Sequence, residues 1–400
     1  MPGKHVAIVA ALDTKPAEAG LIRDYVAAKG HTPVLIDVGV LGEPGLAADV
    51  ARAEVAKAGG SELSELVASQ DKSRAMRTMA DGAAVVAARL RAEGRLDGVV
   101  GIGGSAGTSI GTAAMRALPI GVPKVMVSTV ASGDTRGFVG AKDIAMLYSV
   151  VDVAGINRVS AAVLTNAAGA VVGMVEAEPP KFDEKPLLAA SMFGNTTKLV
   201  DRARATLEGA GYEVLVFHAT GSGGQTMESL IEDGFVKGVL DVTTTEWADQ
   251  LVGGVFGAGE TRLEAAGRRG VPMVVAPGCL DMVNFMGIET VPEKYRGRNL
   301  YEWNPNVTLM RTNVEENRRL GEIIADKLNA AKGPVQVLLP LKGVSQLDSP
   351  GGQFWWPEAD DALYSTLKAR LRVPVREIDA NVNDPEFADA ASGALLEMLK

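Results

Sequence analysis

Residues 5–39 carry a pattern that few folds can satisfy. An apolar run, "HVAIVAAL" (5–12), leads through the turn "DTKP" into an amphipathic stretch from Ala17 to Lys29, closed by Gly30. A second apolar run, "TPVLIDVG" (32–39), follows at once. Strand, helix and strand in so short a span form a parallel crossover unit, because two parallel strands need a long connection that packs back on the sheet. The pattern continues. Residues 46–92 are Ala-rich and charged in helical rhythm, "LDGVVGIGG" (96–104) is a further buried strand, a helix runs to Ala117, and "PKVMVST" (123–129) is a strand again. With 47% hydrophobic residues but only 5% aromatic, the cores must be built from Ala, Val, Leu and Ile. That palette suits parallel strands covered on both faces by helices.

The second half repeats the layout. "KPLLAASMFGNTTKLVDRARATLEGAGYEVLVFHATGSGG" (185–224) runs strand, polar turn with a lysine, helix ending in glycine, strand. "VKGVLDVTTTEWADQLVGG" (236–254) stands where "LDGVVGIGGSAGTSIGTAA" stands in the first half, and "GVPMVVAPG" (270–278) where "GVPKVMVST" does. "VQVLLPL" (335–341) and "VPVREID" (373–379) add two more strands. The expected fold is α/β, with two doubly wound, Rossmann-like parallel-sheet domains sharing an interdomain cleft. The Pro- and charge-rich "EAEPPKFDEKP" (176–186) marks the boundary, giving an N-terminal domain at 1–182 and a C-terminal domain at 183–400.

Charge and cysteine count remove several functions. A net charge of −9 lacks the basic footprint that nucleic acid requires. One cysteine, Cys279, rules out an internal disulfide and a Cys-rich zinc site, and three scattered histidines offer no paired ligand spacing. The N-terminus does not read as a signal peptide, and no apolar run approaches a membrane span. The expectation is a cytoplasmic protein with a small-molecule partner rather than nucleic acid or membrane.

Five loops follow strand ends, where open α/β sheets bind their ligands. "GIGGSAGTS" (101–109) is a glycine turn between strand and helix. It lacks the GK[ST] of a P-loop, and no acid occurs between Gly101 and Asp134 to hold a dinucleotide ribose. It is either an anion-binding turn, with backbone N–H groups and the helix dipole facing a phosphate, or a purely structural one. In "LDTKPAE" (12–18), Asp13 and Thr14 suit helix capping, while Lys15 can serve as a point charge for phosphate. "FHATGSGG" (217–224) brings His218, a candidate acid/base or a mere strand end, to a turn rich in backbone donors. In "DVTTTEWADQ" (241–250), Glu246 and Asp249 lie one helical turn apart. They form either a carboxylate pair for Mg²⁺ or proton transfer, or a solvated helix start. "APGCLDMVNF" (276–285) offers Cys279 with no local histidine, which reads as pocket lining rather than a nucleophile. The aromatic "FWW" (354–356) lines a pocket or anchors its loop.

Taken in order, "DTKPAE", "GIGGSAGTS", "FHATGSGG", "DVTTTEWADQLVGG", "PGCLDMVNF" and "GVSQLDSPGG" resemble the Tm-like ATP-binding proteins. These are homologues of the N-terminal region of the plant Tm protein that inhibits tobamovirus replication. The resemblance covers nearly all 400 residues. It implies two Rossmann-like domains, a homodimer, and ATP as the nucleotide. Its contacts would fall on Asp13, Thr14, Lys15, Gly103, Gly104, Ser105, Gly107 and Thr108, with Gly221 and Gly223 as further candidates. The first loop, "AALDTK", departs from relatives in lacking the glycine that often opens it. On this basis the chain is expected to be a nucleotide-binding enzyme of small-molecule metabolism acting on an anionic substrate. His218, Glu246 and Asp249 are the candidate catalytic groups and Mg²⁺ a candidate cofactor, with no metal ligands assigned. Two alternatives stand beside it: an ATP-independent hydrolase or isomerase of a sugar acid or phosphorylated carboxylate, and a non-catalytic nucleotide- or metabolite-sensing module.

Overall fold

The computed structural model describes residues 3–180 and 184–400. The expected boundary between residues 182 and 183 lies outside the described residues. The chain divides into two compact units, Met1–Lys181 and Phe182–Lys400.

The first unit is a five-stranded sheet. Its strands are β1 (His5–Ala10), β2 (Thr32–Asp37), β3 (Gly98–Gly103), β4 (Lys124–Ser128) and β5 (Ala145–Tyr148). They lie in the order β2-β1-β3-β4-β5, and every pairing is parallel. Val6, Ile8 and Ala10 face the helices Pro16–Ala28 and Arg158–Glu176. Ala7 and Val9 face Lys72–Ala92 and Ser105–Arg116. Two-sided burial explains why all six residues of β3 are buried and why the strands read as unbroken apolar runs. Local chemistry sets the helix starts. Pro16 opens its helix at a position where a missing N–H costs nothing, and Asn157 with Ser160 forms a reciprocal cap. One helix corrects a sequence expectation: Arg158–Glu176 is, by length and composition, long and apolar enough to cross a membrane. Here its stripe of Leu164, Ala167, Val171 and Val175 packs on the sheet.

The second unit repeats and extends this order. Its strands are β6 (Leu187–Met192), β7 (Glu213–His218), β8 (Val236–Thr243), β9 (Met273–Gly278), β10 (Met282–Phe285), β11 (Leu300–Asn304), β12 (Val307–Arg311), β13 (Val335–Pro340) and β14 (Val375–Ile378). Six of them form a parallel sheet ordered β14-β13-β9-β8-β6-β7. Read from β7, this is the arrangement of the first unit with one strand added. Between β9 and β13 the chain makes a three-stranded antiparallel sheet, β10-β12-β11, which the sequence reading did not anticipate.

Candidate functional site

In each parallel sheet the strand order reverses once, between β1 and β3 and between β6 and β8. The crevice outside the carboxyl ends of such a strand pair is where open α/β sheets place ligands.

In the first unit, β3 ends at Gly103, and the helix Ser105–Arg116 starts two residues later with Gly104 as its N-cap. Gly103 is fixed by packing, since a Cβ there would stand 2.6 Å from the Gly107 Cα. Gly104 is not. Its backbone (φ −73°) suits any residue, and a Cβ would meet nothing closer than the Thr129 Oγ1 at 3.7 Å. No side chain caps this helix, so its first N–H groups lack a side-chain partner at the positive end of the dipole, beside Ser105, which is exposed.

Other expected contacts turn elsewhere. Thr108 is fully buried; its hydroxyl bonds the Ser128 Oγ at 2.7 Å and its N–H donates to the Gly104 carbonyl. It ties the helix to β4 rather than facing a ligand. Asp13 accepts from the amides of Leu41 (2.7 Å) and Gly42 (3.1 Å), which tethers the loop after β2. A carboxylate so placed holds a loop and would repel phosphate. Thr14 is exposed, with only a 3.4 Å contact to the Ala11 carbonyl. The Lys15 ammonium donates to the Val153 carbonyl, and Glu18 beside it accepts from the Gly155 amide. A lysine has three donors, so one such bond leaves two. Gly104, Ser105, Gly107 and Lys15 therefore remain as the groups suited to an anion. Sequence reasoning missed Asp37, the last residue of β2. It is buried, its Oδ1 accepts from the amides of Leu12 (3.0 Å) and Gly39 (2.9 Å), and burial raises its pKa. An acid closing the second strand of a crossover was the signal available.

In the second unit the corresponding turn is filled. Asn195, Thr196, Thr243, Thr244, Thr245 and Glu246 are all buried, and the hydroxyls of Thr196 and Thr243 pair at 2.8 Å. The expected carboxylate pair does not form, because Glu246 and Asp249 turn to different partners, and neither is solvated. Glu246 accepts from the amides of Gly221 (2.7 Å) and Gly224 (3.0 Å) and pairs with the Arg262 Nε at 2.7 Å. Arg262 is itself buried, and it also binds Asp241 (2.7 Å to Oδ1) and Glu228 (3.3 Å). Burial pushes the Glu228 and Glu246 carboxyls up, and Arg262 opposes that shift. Asp249 accepts from the backbone and side-chain nitrogens of Asn284 (3.0 and 2.6 Å), and burial raises its pKa to about 7.

The glycines of "TGSGG" answer to this packing. A Cβ on Gly223 would sit 1.7 Å from the His218 carbonyl oxygen, and one on Gly224 would sit 2.0 Å from the Glu246 Oε2. The Gly221 N–H is already bound to Glu246, so it is not a free phosphate donor. His218 is exposed with its ring edge-on to Phe193 (5.5 Å between centroids), and it makes no bond to Glu246 or Asp249. Among the described residues no three His, Cys, Asp or Glu side chains group as metal ligands.

The inserted sheet seals this end. Met282 and Leu309 pack on Phe193, Cys279 and Phe354, so Phe354 anchors its loop rather than lining a pocket. The Cys279 thiol is buried and raised well above its ordinary range, which suits packing and not nucleophilic attack. Beyond it, Arg311 binds Asp360 at 2.6 Å and lies 3.5 Å from Asp348. Asp281 nearby accepts from the Ser345 hydroxyl at 2.8 Å. Burial, reinforced by the Asp348 charge, raises Asp281 to about 8 and Asp360 to about 7.

Comparison with known proteins agrees with this two-unit division. The N-terminal domain of the uncharacterised protein family UPF0261 matches residues 4–180, and its C-terminal domain matches residues 185–399. A UPF0261 protein of Clostridium tetani is 52% identical over 401 residues, 99% of each chain. One from Mesorhizobium japonicum is 44% identical over 398 residues, 98% of each. The ToMV resistance protein Tm-1(GCR237) of Solanum lycopersicum is 46% identical over 316 residues, which are 76% of this chain and 42% of that protein. Among solved structures, a UDP-N-acetylglucosamine 2-epimerase from Rickettsia bellii aligns over 100% of this chain and 96% of its own. At 11% identity and a TM-score of 0.23, it adds nothing to the fold assignment. Both halves match, in order and nearly end to end: the chain belongs to the UPF0261 family and is homologous to the tomato Tm-1 proteins.

Proposed function

We propose that the chain binds a nucleotide, ATP, by its phosphates at the carboxyl ends of β1 and β3 in the first unit. The observation that carries this reading is the start of the helix Ser105–Arg116. It lies at the point where strand order reverses, has no side-chain cap, and is led by a glycine whose missing Cβ would touch only the Thr129 Oγ1, at 3.7 Å. Such a terminus offers unbonded N–H groups and a partial positive charge to an anion. The Lys15 ammonium, two of whose donors stay available, supplies a full charge from the neighbouring loop. ATP itself comes from the resemblance to the Tm-like ATP-binding proteins; the geometry favours phosphate without naming the base.

Ser105→Asp tests the reading. Ser105 is exposed in the first turn, so a new carboxylate there favours the helix dipole and should leave the melting temperature unchanged or raised. The same carboxylate repels phosphate. Calorimetric titration should then find ATP binding to the wild type and a loss of about tenfold or more in the variant. Equal affinity in the two proteins would remove the phosphate from this helix.

A further inference from the structure

Beside β2 the first unit has a groove of about 550 Å³, lined among others by Asp37, Pro44, Leu46, Ala48, Arg52 and Leu63. That volume lies in the range of small-molecule sites. Its walls are mostly apolar, and its polar groups are few and specific. Asp37 uses Oδ1 for the amides of Leu12 and Gly39, while its Oδ2 has no protein partner among the described residues. At the rim, Arg52 donates to the Gly42 carbonyl and reaches the Glu43 Oε2 at 3.4 Å. Two acids against one already engaged arginine make the groove a poor host for phosphate. They make it a good one for a neutral group that donates hydrogen bonds.

Register connects the groove to the phosphate site. Ala10 of β1 pairs with Asp37, and Val9 pairs with Gly101, so Asp37 stands level with the end of β3 just before the Gly103–Gly104 turn. The two strand ends are separated by two inter-strand spacings, on the order of 10 Å. We propose that this groove takes the nucleoside end of the nucleotide, with the Asp37 Oδ2 accepting from the ribose hydroxyls and the base lying against Pro44, Leu46 and Leu63. The proposal rests on the phosphate reading above and adds what that reading leaves open, the direction in which the ligand lies. The place of the acid matters too. No acid follows β3 before Asp134, whereas β2 ends in one.

The test is titration of the full chain with ATP, 2′-deoxy-ATP, 3′-deoxy-ATP and inorganic tripolyphosphate. Hydrogen bonds to an ionised carboxylate are among the strong ones, so at least one deoxy analogue should bind the wild type about tenfold more weakly than ATP. Asp37→Asn keeps an Oδ1 acceptor for Leu12 and Gly39. It should weaken ATP to a similar degree, abolish the deoxy penalty, and leave tripolyphosphate affinity unchanged. Ala47→Trp provides a second route. Ala47 lines the groove from an exposed loop, so its replacement should block the groove without touching Asp37 and reduce ATP affinity to that of tripolyphosphate. Equal binding of ATP and both deoxy analogues, with no effect of Ala47→Trp, would overturn the groove assignment and leave the phosphate site standing. Failure of both ATP and tripolyphosphate to bind the wild type would overturn the phosphate reading, and the groove assignment with it.

Discussion

The two units share a strand order and differ at the one place where that order invites a ligand. At the end of β3 the first unit has Gly103, Gly104 and Ser105, an uncapped helix start where a Cβ on Gly104 would touch only the Thr129 Oγ1. At the end of β8 the second unit has Thr243, Thr244, Thr245 and Glu246, all buried, with the side chains of Thr243, Thr244 and Glu246 bonded into the interior and an antiparallel sheet packed over Phe193, Cys279 and Phe354. Duplicating a topology therefore does not duplicate a site. A strand-order reversal supplies a crevice; the side chains that follow decide whether it stays open or becomes core. Two of the second unit's candidate catalytic groups, Glu246 and Asp249, are consumed by its packing, while His218 stays exposed and apart from them.

The sharpest way to break this contrast is to remove Arg262. Its guanidinium is the cation shared by Glu228, Asp241 and Glu246 in the interior of the second unit. Arg262→Met would leave the buried Asp241 and Glu246 and the part-buried Glu228 without it, and breaking such a cluster typically costs about 3–5 kcal/mol. Denaturant unfolding should show that loss. A cost under about 1 kcal/mol, the range of surface ion pairs, would mean that the cluster does not anchor this unit's interior.

Next in size is Gly223→Ala. A Cβ there overlaps the His218 carbonyl, which is backbone and has no flexible end to yield. Overpacking of this kind costs about 1–3 kcal/mol. An unchanged melting temperature would show that the turn is loose, and would return the "TGSGG" glycines to the list of candidate ligand contacts.

The buried acids beside Arg311 give an effect that depends on pH. The fold raises Asp281 from 3.8 to about 8, so it favours the protonated form. The native state then holds a proton that the unfolded chain releases, and stability falls as pH rises from about 4 through about 8. Asp281→Asn removes that titration, so its melting temperature should decline less between pH 5 and pH 9 than that of the wild type, with the gap widest at the alkaline end. Parallel curves would show that Asp281 does not carry the dependence.

How much of this could be read beforehand depends on range along the chain. The parallel strands were legible because two-sided burial writes itself as short apolar runs between glycine-rich turns, as in "LDGVVGIGG". The antiparallel insert was not. β11 is largely exposed, and β10 hides inside "PGCLDMVNF", which reads as a strand-end loop. The true partner of Glu246 was also out of reach. Arg262 lies 16 residues away, past two glycine-containing turns, and nothing in local spacing links the two. The spacing of Glu246 and Asp249 suggested a shared exposed face, but a seven-residue helix buried on several sides has no such face. Thr108 misled for a related reason, since a hydroxyl in the first turn can as easily reach the neighbouring strand as a ligand.

The smallest expected effect on stability is also the most direct test of the open crevice. In Gly104→Ala the new methyl enters a backbone conformation that any L-residue adopts, with its nearest neighbour at 3.7 Å. Alanine is a somewhat poorer N-cap than glycine, but it loses less chain entropy on folding. The two effects nearly cancel, leaving a net change within about 0.5 kcal/mol. If the glycine is there so that a phosphate can approach the amides of residues 105–107, the same methyl stands in the ligand's way. ATP affinity should then fall about tenfold while the melting temperature holds. Gly223→Ala and Gly104→Ala thus form a matched pair: the first should lower stability through packing alone, the second should weaken binding alone. A Gly104→Ala protein that binds ATP as the wild type does would mean that this glycine, like Gly223, serves only the turn.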